Sequence, residues 1–342
     1  MVEYNESDKD KFSLLEYLSG ILFFPRVISG PIISLQDMQR QWRQTNNILD
    51  YRNLSTGFYL FCIGLFKKVV IADTLVYFVD NGYGITSDIN FWQAWCTTLC
   101  YTFQIYFDFS GYSDMAIGIA RTFGIILPFN FNSPYHAESI TEFWRRWHIT
   151  LSKALSKLIY IPLGGNRKGV FRTCLNLMAT FLISGLWHGA SWTYILWGGF
   201  QGFFMVVEKV ANKWIEKIPL LIRRVSTFLI VNCLWVLFRA ENMEHALQMY
   251  NGMFNISKNI GEISSLGILA NDGIIPFPDI MWAIYLLFII IMLFMIMLVK
   301  KNSNDMYEEF TPNRKTMIFA MGLFVISTVH LSRLANFVYV NF

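Results

Sequence analysis

Two histidines are the side chains in this sequence best suited to moving a proton. His188 lies in SGLWHGASW (184–192), and His148 lies 40 positions earlier in EFWRRWHITLS (142–152). Neutral imidazole, with an unperturbed pKa of about 6.5, takes a proton from a hydroxyl near neutral pH and hands it on. Gly185 and Gly189 flank His188 and let a substrate or another backbone come close. Structural roles fit the same residues: His188 as a bridge to a carbonyl on a neighbouring helix, His148 as a polar-face residue beside arginines. Two histidines on separate elements make a base and an orienting partner only where the fold brings them together.

Asp108 and Asp114 fall in YFDFSGYSD (106–114), where Ser110, Gly111, Tyr112 and Ser113 break the end of an apolar run. Buried carboxylates need a cation, and Arg145 or Arg146 is the expected one; a substrate channel is the other reading. Gly164, Gly165, Asn166, Arg167 and Lys168 form a turn whose backbone amides and charge suit a phosphate. The turn lacks the spacing of a nucleotide-binding loop and reads equally as a cytoplasmic connection. The candidate substrate-binding set is therefore Trp187, Asp108, Asp114, Arg145, Arg146 and Asn166. Cys62, Cys96, Cys100, Cys174 and Cys233 all lie in apolar segments. Cys96 and Cys100 share a helix face, but no histidine sits at ligand spacing, so inert thiols and no metal are expected. His136, His245 and His330 lack supporting partners in sequence and are expected to be structural or exposed.

The elements that must hold these groups are membrane spans. Hydrophobic residues make up 54% of the 342 positions, charged residues 15%, and mean hydropathy is +0.39. Soluble domains run nearer ~45–50% apolar and ~25% charged. This composition excludes a disordered chain, a disulfide scaffold and a solvated nucleic-acid binder, and the net charge of +4 fits basic loops kept on the cytoplasmic side. A hydrocarbon core of about 30 Å takes about 20 apolar helical residues. Residues 280–299 supply 20 positions without formal charge, 89–107 supply 19 and 316–332 supply 17; weaker candidates cover 14–33, 55–79 and 225–238.

The run 173–207 has 35 residues without formal charge, too long for one straight crossing and short for two. A tilted helix, or one broken near Gly185 or Gly189, is expected, with His188 near mid-bilayer, where an ionisable group is a functional candidate. Residues 139–157 read as one amphipathic helix. Ser139 and Glu142 make a capping-box start, and Phe143, Trp144, Trp147, Leu151, Leu155 and Leu158 oppose Arg145, Arg146, Lys153 and Lys157. The acidic start MVEYNESDKDK is not a signal peptide, and the basic stretch 300–315 is expected to be cytoplasmic with the C-terminus outside. No repeat or composition shift divides the chain, so residues 1–342 read as a single all-α polytopic membrane domain.

Eight segments resemble the membrane-bound O-acyltransferases, in particular the branch of the alginate O-acetyltransferase membrane subunit. They are FFPRVISGPI (23–32), YFDFSGYSDMAIGIARTFGI (106–125), PFNFNSPY (128–135), EFWRRWHITLS (142–152), YIPLGGNRKG (160–169), SGLWHGASW (184–192), WVLFRA (235–240) and NFVYVNF (336–342), in family order. The resemblance implies that His188 is the invariant family histidine and His148 the second one. It also implies a ring of transmembrane helices, with re-entrant or interfacial helices, around a central tunnel. An acyl thioester, acetyl-CoA, would enter from the cytoplasm, with no bound cofactor. The acceptor would be an exported or cell-wall polysaccharide, the partner an extracytoplasmic protein of SGNH-hydrolase type, and the location a bacterial inner membrane. No nucleic-acid partner is implied. By the same resemblance, further spans are expected ahead of 23–32 and an LRDY-like stretch before YIPLGG; here the first matching segment begins at residue 23 and Leu155, Ser156, Lys157 and Leu158 stand in the second place. Midplane polar residues leave a transporter or channel as an alternative, and the unmatched front spans leave a non-catalytic scaffold as another.

Overall fold

The computed structural model describes residues 13–27, 29–44, 50–85, 88–255, 261–270, 278–299 and 301–331. The acidic start, Ile28, Lys300 and the NFVYVNF terminus lie outside the described residues. Those described form helices and no strand. The weak span expected over 14–33 is broken into α1 (Leu14–Ile21) and α2 (Phe24–Val27), followed by α3 (Leu35–Gln44); Pro31, between α2 and α3, cannot continue a helical ladder. Next, α4 (Tyr51–Leu65), a π-helical stretch (Phe66–Ala72) and α5 (Asp73–Tyr83) run without interruption.

Helix α6 (Phe91–Thr122) has 32 residues, about 48 Å at 1.5 Å per residue. Asn90 caps it by accepting the Gln93 N–H, and the Gln93 side chain accepts the Asn90 N–H in return. The sequence suggests a membrane span over 89–107. The structure surrounds α6 with protein: Thr97, Thr98, Thr102, Gln104, Asp108 and Ser110 are all buried along it. Polar groups distributed round a helix at membrane depth need protein on every side.

The remaining helices are α7 (Ile140–Arg146), α8 (Ile149–Leu155), α9 (Gly169–His188), α10 (Trp192–Ile215), α11 (Leu220–Arg239), α12 (Met243–Phe254), α13 (Gly267–Ala270), α14 (Asp279–Leu298), α15 (Ser303–Glu308) and α16 (Arg314–His330). A second π-helical stretch (Ser156–Tyr160) follows α8. Helices α4, α5, α11, α12 and α14 pack on α6.

Three of the described helices, α9, α11 and α14, are long and apolar enough to cross a membrane. Helix α14 shows how the solvent is partitioned. Trp282, Ala283, Leu286, Ile290 and Leu293 face inward, while Ile280, Ile284, Phe288, Ile291 and Met295 are exposed. A continuous apolar exterior of this kind suits lipid rather than water. Helices in lipid associate through close packing and polar contacts, since the tails are as apolar as leucine. The α4–α6 contact is built that way: a Cβ on Gly64 would lie 2.5 Å from the Gly111 carbonyl oxygen.

Two expectations change in the structure. The uncharged run 173–207 is a helical hairpin, α9 then α10, breaking at 189–191. The break near Gly189 is one of the two places where the sequence puts it, and His188 ends α9 at the hairpin tip. Both helices extend into charged flanks, 169–172 and 208–215, so the uncharged count understated the length available. The amphipathic segment 139–157 is not one helix. It breaks at Trp147 (φ −107°, ψ 130°) and His148 (φ 42°, ψ 53°), leaving two short helices with His148 in the left-handed conformation between them.

Candidate active site

His188 is placed by the pattern on α9. Thr173, Asn176, Thr180, Ser184 and His188 recur three and four residues apart and are all buried, whereas Leu175, Leu182, Leu186 and Trp187 are exposed. That spacing puts the polar side chains on one inward face. Thr173 and Thr180 donate back to carbonyls of their own helix, and Asn176 donates to the Gly165 carbonyl (2.9 Å), tying the GGN turn to α9. Helix α10 folds back against this face with almost no gap: a Cβ on Gly185 would sit 2.3 Å from the Tyr194 carbonyl oxygen. Of the two uses open to Gly185 from sequence, the structure takes backbone approach. The His188 ring is then enclosed edge-to-face by Trp197 (5.3 Å) and Phe238 (5.1 Å), with Trp187 at 4.9 Å.

His148 is placed by a break. A left-handed backbone at a non-glycine residue is sparsely populated and persists only where its surroundings over-determine it. Asn130, in the PFNFNSPY loop, supplies that determination. Its carbonyl oxygen accepts the Ile149 N–H (3.0 Å). Its Oδ1 accepts from the Thr150 N–H (3.2 Å) and the Thr150 hydroxyl (2.7 Å) and lies 3.4 Å from His148 Nδ1. The imidazole stands edge-on to Phe109 of α6 at 4.7 Å.

The two halves are joined by α10 and an aromatic wall. Gln201 of α10 accepts from Trp144 Nε1 (3.0 Å). Glu208, one further stretch along α10, takes the Ile140 N–H and the Thr141 N–H and hydroxyl (2.9 and 2.8 Å). A carboxylate on the free N–H groups of a helix start offsets their dipole, so α10 grips α7 at its first turn. Between the histidines, Trp147 meets Trp235 at 5.1 Å, and Trp235 lies nearly parallel to Trp197 at 6.0 Å. All three tryptophans are buried to within 1%. The result is two buried imidazoles from distant sequence positions, linked through the same tryptophan wall.

The carboxylates are served by lysines, not arginines. Lys67 Nζ meets Asp114 Oδ2 at 2.7 Å and donates to Ser303 Oγ (3.0 Å). Lys68 Nζ lies 2.6 Å from Asp73 and 2.8 Å from Asp108. These adjacent lysines sit in the π-helical stretch, where the wider turn rotates successive side chains less and turns both toward α6. Helix α6 thus gives its aromatic Phe109 to His148 and its carboxylates to the lysines. Arg146 is used locally, on Glu142 (2.6 Å) and the Asn132 carbonyl (3.2 Å), and Arg145 is exposed. Trp187 is 60% exposed, so most of its ring looks outward. Asn166 is exposed on its turn. Ser139 caps α7 by accepting the Glu142 N–H (3.0 Å), but the Glu142 carboxylate takes the Glu138 N–H instead of closing the box on Ser139. The five cysteines are free thiols, three of them buried, and among the described residues no three His, Cys, Asp or Glu side chains converge as metal ligands. Of the remaining histidines, His136 meets the Met297 carbonyl.

Residues 3–239 match the family described as MBOAT, membrane-bound O-acyltransferase family. The chain belongs to the membrane-bound O-acyltransferase family. It is 43% identical over 308 residues to the peptidoglycan O-acetyltransferase of Helicobacter pylori, covering 86% of this chain and 58% of the relative. It is 44% identical over 246 residues to a probable alginate O-acetylase AlgI of Azotobacter vinelandii, covering 71% of this chain and 48% of the relative. A teichoic acid D-alanyltransferase of Bacillus subtilis is 30% identical over 224 residues, or 61% of this chain and 55% of the relative. The chain thus spans about half the length of the curated relatives it matches.

The membrane-bound O-acyltransferase match contains both histidines, the lysine–carboxylate cluster and the α9–α10 hairpin. Asn130, Lys67 and Lys68 are the site residues that sequence reasoning missed. A signal existed for the lysines, the sole charges in the interior of the weak span 55–79 before Asp73. None existed for Asn130, which reads as an ordinary turn residue.

Proposed function

We propose that this chain is the acyl-transferring part of a membrane O-acetyltransferase that modifies an exported or cell-envelope polysaccharide. The observation that carries the reading is the burial of His188 and His148 beside a linked wall of tryptophans, Trp147, Trp235 and Trp197. In that setting His188 takes the proton of an acceptor hydroxyl. The oxygen attacks the thioester carbonyl, the carbon–sulfur bond breaks, and the departing thiolate recovers the proton from His188. His148 orients the reacting groups or assists the proton transfer.

The finer assignments follow the same reading. The donor is acetyl-CoA arriving from the cytoplasm, through a tunnel ringed by helices. The acceptor side is extracytoplasmic, with an SGNH-type partner completing the transfer, and the protein is a multi-pass component of a bacterial inner membrane. Relatives named for peptidoglycan and alginate acetylation support a polysaccharide acceptor. Trp187 and Asn166 stand at the surface as candidate contacts for donor, acceptor or partner; Asp108 and Asp114 with their lysines hold the helices behind the site.

The test uses the full chain in proteoliposomes, supplied with labelled acetyl-CoA and de-acetylated peptidoglycan or alginate, with and without an SGNH-type partner. Label on the polysaccharide is the expected result. Polysaccharide or ion flux without thioester, and no label transferred, would replace the acyltransferase with a transporter.

A further inference from the structure

The hydrogen bonds around Asn130 decide which nitrogen of His148 carries the proton. The Thr150 backbone N–H can only donate, and it points at Asn130 Oδ1 at 3.2 Å. The Thr150 hydroxyl lies 2.7 Å from the same atom while accepting the Ile32 N–H at 3.0 Å, so its own proton goes to Asn130. On the other side of the amide, Nδ2 faces Ser113 Oγ at 3.5 Å. Two donors thus fix the atom facing His148 as the amide oxygen, and an oxygen accepts. The ring nitrogen 3.4 Å away, Nδ1, is therefore the protonated one in the neutral imidazole.

We propose that Asn130 is a positioning residue that locks His148 in the Nδ1-protonated tautomer and leaves Nε2 as the nitrogen that accepts a hydrogen bond or a proton. The inference rests on the reading of His148 as part of the acyl-transfer site. The same amide that holds the ring also holds the left-handed backbone, since Ile149 and Thr150 both donate to Asn130. Tautomer and ring direction are set together by one side chain. When Nε2 assists by taking up the proton that His188 has removed from the acceptor hydroxyl, the His188 N–H bond breaks as the Nε2–H bond forms, and the step reverses as the thiolate departs. The imidazolium still donates Nδ1–H to Asn130, in a bond strengthened by its charge. No second rearrangement is needed on the proton's return.

The direct test is nitrogen NMR on the full chain in detergent micelles, with histidine labelled at both ring nitrogens and the His148 signal identified by its loss in His148→Gln. A protonated Nδ1 and bare Nε2 are expected; a protonated Nε2 overturns the inference. Two variants add a functional readout. Asn130→Ala removes the acceptor and is expected to mix the tautomers and lower turnover by about a hundredfold. Asn130→Asp restores an acceptor at the same place and is expected to recover activity relative to Asn130→Ala, with the acidic limb of the pH–rate profile raised by about one to three units because a carboxylate favours imidazolium. Equal turnover in Asn130→Ala and the natural chain would overturn the inference. A natural chain with protonated Nδ1 that transfers no acetyl group defeats the acyltransferase reading and leaves the tautomer assignment standing.

Discussion

Gly185 of α9 lies against the Tyr194 carbonyl of α10 so closely that a Cβ there would be 2.3 Å from the oxygen. That contact, with Gly198 as close to the Phe181 carbonyl, sets how near α10 stands to α9, and α10 in turn holds the segment bearing His148 through Gln201 and Glu208. The placement of the two imidazoles therefore depends on the hairpin.

Gly185→Ala is expected to push the hairpin open by more than side-chain motion can absorb, because the obstructing atom is backbone. Overpacking of this kind costs about 1–3 kcal/mol. Thermal unfolding in detergent should show the loss, together with a fall in acetyl transfer. Unchanged stability and turnover would mean that α9 and α10 are not in this register.

Glu208→Ala removes the acceptor from the first N–H groups of α7. Loss of such a cap costs about 0.5–2 kcal/mol, and hydrogen exchange at Ile140 and Thr141 should accelerate. Glu208→Gln keeps one acceptor oxygen and should fall between the two. Exchange at these amides identical in all three proteins would rule out the cross-helix cap.

The buried pair Lys67–Asp114 supports a mutant cycle. Lys67→Met leaves a buried carboxylate without its cation and is expected to destabilise by about 3–5 kcal/mol. Adding Asp114→Asn removes that uncompensated charge and should recover most of the loss. Additive effects of the two substitutions, measured by chemical or thermal unfolding in micelles, would show that the two groups do not interact.

The sequence made His188, the helical class and the hairpin break legible for physical reasons. A histidine in a long uncharged run, flanked by glycines, stands out against an apolar background, and Ser139 announces the start of α7. What it hid were relations between distant residues. Lys67 and Lys68 answer Asp114 and Asp108 across 47 and 40 residues, and the π-helical stretch turns both toward α6. Arg145 and Arg146 looked nearer along the chain, but Glu142 lies one turn below Arg146 and takes it. His148 looked like a helix-face residue because the stripe 143–158 has helical spacing. The left-handed break that defines its position depends on Asn130, eighteen residues away in a loop. Lipid-facing and buried apolar segments also look alike in sequence, which is why the packing of α4, α5, α11, α12 and α14 around α6 could not be read from it.

The central claim, that His188 is the base of an acyl transfer, is tested most directly by acetyl transfer from labelled acetyl-CoA to polysaccharide in proteoliposomes of His188→Ala beside the natural chain, at equal inserted protein. The expected result is loss of transfer to background with membrane insertion and thermal unfolding retained. Transfer by His188→Ala at the rate of the natural chain would contradict it.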